Sequence, residues 1–166
     1  MEHPSWPHKV AENLRDFLAE AFPGVQFQAA PLVAYDVATI DLSWTDGPSL
    51  HEVDMLALEF VLRVHLDAWG TGEQSKIDRI SNRRTMSQAA EALLFEALAA
   101  DMALDTRDLD ANRVYPLPPV LASSRYCPQA GTVPEFLDLL FEATSFSRGS
   151  VVGKQPVSPC TCALCA

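Results

Sequence analysis

The sequence predicts an α+β fold in which a small antiparallel sheet of two or three strands is covered by helices. Two kinds of hydrophobic spacing indicate this class: apolar residues three to four apart, typical of helices, and alternation of apolar with polar residues, typical of strands. The 166 residues are 48% apolar, enough to bury a core without disulfides or metals. We therefore expect a folded protein of ordinary domain size.

Three segments in the first half of the chain alternate in the way of β-strands. Apolar and polar residues alternate over residues 25–30 and again over 39–44, which predicts an antiparallel pair. A weaker alternation over residues 76–85 predicts a third strand. Pro31 is expected at a sheet edge or a strand end, because it has no N–H to donate to a ladder.

Four segments carry the spacing of helices with one apolar face. They cover residues 7–22, 49–65, 87–104 and 132–147. The second of these helices follows Asp46-Gly47-Pro48, a turn signal in which Asp-Gly favours positive φ. Ser49 and Glu52 have the spacing of a capping box, in which each side chain accepts the backbone N–H of the other residue. These signals predict a sharp strand-to-helix turn.

The predicted organisation is a domain over residues 7–104, a proline-rich arm over 105–131, a short helix over 132–147 and a cysteine-containing tail over 148–166. The prolines of YPLPP favour extended backbone in the arm. The tail shows no periodicity, so we expect it to be flexible unless something binds it. Short apolar segments outside a main core are typical of interfaces, so we expect residues 105–147 to contact a protein partner or a second copy.

The balance of charge limits the partners that we expect. Twenty-two acidic against twelve basic residues give a net charge of −10, which argues against direct nucleic-acid binding by a broad basic face. The charge permits a basic protein partner, or mimicry of nucleic acid against a defence protein. The one basic concentration is Arg79, Arg83 and Arg84, and on a strand Arg84 would face the opposite side from the other two.

The sequence also bears on location. The alanine- and leucine-rich stretch that begins at Gln88 is interrupted by Glu91, Glu96 and Asp101, so it is not expected to span a membrane. The N-terminal residues do not have the basic and apolar regions of a secretory signal. A cytoplasmic location is therefore the default expectation.

Four cysteines are the candidate metal ligands: Cys127, Cys160, Cys162 and Cys165. Zinc takes four soft ligands in a tetrahedron, and C-x-x-C presents two thiolates to one ion, whereas C-x-C does so less readily. A second ligand pair is missing, although His51 or His65 is available as a nitrogen ligand. The sequence thus leaves open no cofactor, a zinc site, or a long leader that carries a modifiable cysteine-rich C-terminal peptide.

No catalytic residues are predicted. His51 with Asp54, and His65 with Asp67, are neighbours of the acid–base kind, since residues three apart on a helix meet. No nucleophile motif, phosphate-binding loop or metalloprotease motif accompanies them. Solvated helix edges explain these pairs better, so an enzyme is the less favoured class.

Three segments within residues 10–87 carry a resemblance to a known family. They are AENLRDFLAEAFPGVQFQ, IDLSWTDGPSLHEVDMLALEF and DRISNRRTMS, and their most specific element is SWTDGP at residues 43–48. This half of the chain resembles the large polyvalent protein-associated domain, type twenty-nine. The resemblance implies a module of phages, plasmids and integrative elements without an established activity. The function it favours is a non-enzymatic protein-interaction module of a mobile element, in an accessory or anti-defence role.

Overall fold

The structure is a computed structural model that describes residues 6–34, 37–71, 77–122 and 130–147, with the backbone alone for residues 33, 34, 37, 38, 66–71 and 78. The chain divides into two compact units, Met1–Thr85 and Met86–Ala166. Both helices and strands are present in each unit. The predicted α+β class is confirmed.

The first unit contains α1 (Trp6–Ala21), β1 (Gln28–Ala34), β2 (Val37–Thr45), α2 (Leu50–Thr71) and β3 (Ile77–Thr85). The strands form one sheet in the order β1-β2-β3. The antiparallel prediction is right for β1 with β2 and wrong for β3, which runs parallel to β2. The reason is the connection through α2. This long helix carries the chain back to the end of the sheet at which β2 begins, so β3 runs in the same direction as β2.

One face of this sheet carries the core of the first unit. Its buried residues from the central strand are Ile40, Leu42 and Trp44. Buried residues of α1 and α2 join them in one apolar cluster: Val10, Ala11, Leu14, Leu18, Val53 and Phe60. Trp44, near the end of the central strand, is 3% exposed. Pro31 lies within β1 opposite Ile40, and β1 is an edge strand as the prediction for a proline requires.

The second unit contains α3 (Gln88–Asp101), a 3₁₀ turn (Thr106–Asp108), β4 (Tyr115–Pro116), α4 (Pro119–Ala122), β5 (Ala130–Gly131) and α5 (Val133–Ala143). β4 and β5 pair antiparallel. Ser87 caps α3, because its hydroxyl oxygen accepts the N–H of Ala90 at 3.1 Å. At the start of α5 the backbone N–H of Thr132 donates to Glu135 at 2.8 Å.

The core of the second unit explains two differences from the predicted organisation. It contains Leu94 and Leu98 of α3 together with Phe136 of α5, so α3 belongs with the later residues and not with a domain that ends at residue 104. Tyr115 and Leu121, from the predicted arm, are also buried in this core. Side chains on either side of these prolines therefore pack, although their spacing is not that of a helix or strand.

The end of α3 contains a strained alanine. Ala103 has a φ of 54°, a left-handed conformation in which the Cβ atom crowds the backbone. The hydrogen bonds from the N–H of Leu104 to Ala99 O (3.0 Å) and from the N–H of Ala103 to Ala100 O (3.1 Å) form the helix-ending motif that usually has glycine at this position.

We expect Ala103→Gly to raise the free energy of unfolding of the second unit by about 1 kcal/mol, because glycine adopts positive φ without the Cβ clash. Urea denaturation followed by circular dichroism measures the change. Ala100→Gly is the matched control, since Ala100 is exposed inside the right-handed helix and its replacement is expected to cost about 1 kcal/mol. Equal effects of the two substitutions would contradict the prediction.

Candidate functional site: the outer face of the second helix

The outer face of α2 carries three large apolar side chains. Met55, Leu58 and Leu62 are 57%, 55% and 55% exposed. Their spacing of three and four residues places them in one line along the helix. Val53 and Phe60, on the opposite face, are buried in the core. A helix that packs on one side only is normally polar on the other, so this second apolar face needs an explanation of its own. We call Met55, Leu58 and Leu62 the α2 stripe.

Acidic residues border the α2 stripe. Asp54 and Glu59 lie on opposite sides of it by helical position, and both are exposed. Asp54 accepts a hydrogen bond from the side-chain amide of Asn82 on β3. Glu59 forms an ion pair with Arg63, whose guanidinium lies 5.5 Å from the centroid of the Phe17 ring of α1. The guanidinium of Arg63 therefore extends toward α1 and away from the α2 stripe.

The sheet face that does not carry the core is polar. Its side chains by strand alternation are Gln28, Ala30, Leu32, Thr39, Asp41, Ser43, Thr45, Arg79, Ser81, Arg83 and Thr85. Arg83 lies 3.6 Å from Asp41, an exposed ion pair of small energetic value. Single-stranded nucleic acids are bound on such sheets by stacking on aromatic side chains, and this set contains none. The face therefore has the polarity of a solvated surface.

Arg84 extends to the opposite side of the sheet, as the alternation predicts. Its Nε donates to Asp46 O at 2.7 Å and a terminal nitrogen donates to Gly47 O at 3.1 Å. Burial lowers the pKa of Arg84 to about 10, although the carboxylates of Asp46 and Glu52 act in the opposite direction. The guanidinium therefore stays charged at neutral pH and binds the β2–α2 turn from β3.

The turn itself has little freedom. Asp46 and Gly47 have φ values of 53° and 55°, and a Cβ on Gly47 would lie 3.0 Å from a methyl group of Val25. The indole N–H of Trp44 donates to Pro48 O at 3.0 Å. The SWTDGP segment, the most specific part of the sequence, is thus explained by folding.

The predicted capping box at the start of α2 is confirmed. The backbone N–H of Ser49 donates to Glu52 at 2.9 Å, and the N–H of Glu52 donates to the Ser49 hydroxyl at 3.3 Å. These bonds satisfy amide groups that a helix start leaves without intrahelical partners. Ser49 and Glu52 are therefore engaged in holding the helix.

The structure does not test the predicted metal ligands. Cys127, Cys160, Cys162 and Cys165 all lie outside the described residues, so the zinc site stays a prediction. Among the residues that the structure describes, no three His, Cys, Asp or Glu side chains are grouped in a way that suits a metal ion.

Both pairs of acid–base neighbours lie on α2. His51 is exposed at the start of α2, and Asp54 is hydrogen-bonded by Asn82. The Nδ1 atom of His65 lies 2.8 Å from the backbone oxygen of Val61, a contact within its own helix. The Asp67 side chain lies outside the described part of the chain.

Comparison with known proteins adds no relative. The chain matches no family of known proteins, no curated protein and no solved structure. The resemblance over residues 10–87 therefore stays a prediction. Within the described ranges, no helix has the length and apolar character needed to cross a membrane.

We expect Arg84→Met to lower the free energy of unfolding of the first unit by about 3 kcal/mol, because two charge-assisted hydrogen bonds are lost and two turn carbonyls lose their donors. Urea denaturation followed by tryptophan fluorescence measures the loss. Arg83→Met is the matched control on the same strand, where an exposed ion pair predicts a change within about 0.5 kcal/mol. A small loss for both variants would show that the turn does not depend on Arg84.

Proposed function

We propose that this chain is a non-enzymatic protein-interaction module that binds a partner protein through the α2 stripe, and that it serves a phage or another mobile element in an accessory or anti-defence role. The observation that carries the proposal is the second apolar face of α2. Met55, Leu58 and Leu62 are each more than half exposed and lie in one line. Contiguous apolar surface of this kind marks interaction sites on folded proteins.

Burial of the α2 stripe by another protein is energetically favourable. Full burial of one leucine or methionine stabilises by roughly 1.5–3 kcal/mol, so completing the burial of three such side chains supplies several kcal/mol toward binding. The stripe lies on a helix held at its start by the Ser49–Glu52 box and by the turn that Arg84 binds. A surface on a rigid element loses little conformational freedom when a partner covers it.

The predicted interface over residues 105–147 receives less support. The apolar residues of α5 that motivated it, including Phe136 and Leu140, are buried in the core of the second unit. The proposal therefore assigns docking to α2. The origin in a mobile element is supported by the resemblance of residues 10–87, whose SWTDGP segment forms the turn before α2.

Site-specific photo-crosslinking in the source cells tests the proposal. Benzoylphenylalanine replaces Leu58, Leu62 or, as the control, Leu32, which is 62% exposed on the polar face of the sheet. We expect one protein, identified by mass spectrometry, to be crosslinked from positions 58 and 62 and not from position 32. The double variant Leu58→Gln, Leu62→Gln is expected to lose this partner, whereas Leu32→Gln retains it. The absence of an adduct from α2, or the same adduct from position 32, would overturn the proposal.

A further inference from the structure

The chemistry of the partner follows from the residues around the α2 stripe. Resting on the proposed docking through this stripe, we infer that the partner presents an amphipathic helix whose apolar line is bordered by lysine or arginine. The inference depends on the positions of Asp54 and Glu59. It also depends on which residues of a parallel or an antiparallel partner helix would lie next to these two acids.

The α2 stripe has the spacing of a helix-pairing seam. Met55, Leu58 and Leu62 occupy the positions a, d and a of a heptad, and exposed His65 follows at the next d. Asp54 then lies at g and Glu59 at e, the two positions that flank such a seam. Helices that bind helices use anchors with this spacing, and packed helix axes lie about 8–10 Å apart. A partner helix laid along α2 therefore brings its own flanking residues next to these two acids.

A second copy of the chain is the wrong partner for this seam. In a parallel pair, position g of one helix faces position e of the other, which places Asp54 beside Glu59. In an antiparallel pair, position e faces position e, which places Glu59 beside Glu59. Both arrangements bring like charges together. Arg63, at position b, forms an exposed ion pair with Glu59 and offsets part of its charge, so the repulsion rests mainly on Asp54 and on the net charge of the chain.

A partner helix with basic residues at its flanking positions fits the α2 stripe better than a second copy does. A lysine or arginine at e or g of the partner reaches Asp54 or Glu59, and the exposed pairs that result favour the matched partner over an acidic one. The net charge of −10 acts in the same direction at longer range, because it attracts basic partners and repels other copies of the chain.

Binding of designed peptides tests the inference on the full chain. The probe is a fluorescent amphipathic helix of about three heptads with leucine at a and d and lysine at e and g. One control peptide has glutamate at e and g, and another has the lysine peptide's composition in an order without an apolar line. Fluorescence anisotropy measures the affinities, and sedimentation velocity measures the mass of the chain alone.

We expect the lysine helix to bind at least about tenfold more tightly than either control and to weaken as NaCl rises from about 0.05 to about 0.5 M. Leu58→Gln with Leu62→Gln is expected to abolish binding, Glu59→Gln to weaken it, and Leu32→Gln to leave it unchanged.

The outcomes separate the inference from the proposed function. One outcome is that the lysine and glutamate helices bind equally well, and that both lose binding in the Leu58→Gln, Leu62→Gln variant. That result would overturn the inference of a basic partner and leave the docking surface supported. If the chain alone is a dimer, and the same double variant is a monomer, then the occupant of the α2 stripe is a second copy of the chain and not a basic helix. A monomeric chain that binds neither helix would overturn both.

Discussion

The direction of α2 depends on the turn that Arg84 binds. The guanidinium donates to the carbonyl oxygens of Asp46 and Gly47, while the N–H of Asp46 donates to Thr85 O at 2.8 Å, so β3 holds the turn with both a side chain and its backbone. β2 and β3 are parallel, and the helix between them must leave the sheet at this point and lie across its face. The contacts of Arg84 thereby hold the point at which α2 leaves the sheet, and apolar packing of Val53 and Phe60 turns one side of the helix into the core.

The same turn gives a structural role to residues of the SWTDGP segment. Trp44 supplies a buried ring and an indole N–H for Pro48 O, and Gly47 lies where a Cβ would approach Val25 closely. Each of these residues satisfies a requirement of the turn between β2 and α2. The exposed apolar surface of the α2 stripe lies about two to four helical turns beyond this segment.

The parts of the fold that follow from local spacing were predictable, and the parts that depend on distant partners were not. Alternation and capping spacing predicted β2, β3 and part of β1, the Ser49–Glu52 box and the opposed directions of Arg83 and Arg84. Strand direction in β3 was missed because alternation is the same in parallel and antiparallel strands. The packing of Tyr115 was missed because its neighbours have no period. The α2 stripe was visible in the spacing of Met55, Leu58 and Leu62, but which of two apolar faces is exposed is decided by the tertiary fold.

The acidity of the chain and the apolar stripe are best understood together. An exposed apolar line on a helix promotes self-association unless a source of repulsion opposes it. Asp54 and Glu59 provide this repulsion locally, because self-pairing of α2 places acids beside acids, and the net charge of −10 provides it at longer range. The same acids that oppose a second copy favour a basic helix. Solubility and partner choice then have one physical cause, and mimicry of nucleic acid is not required to explain the charge.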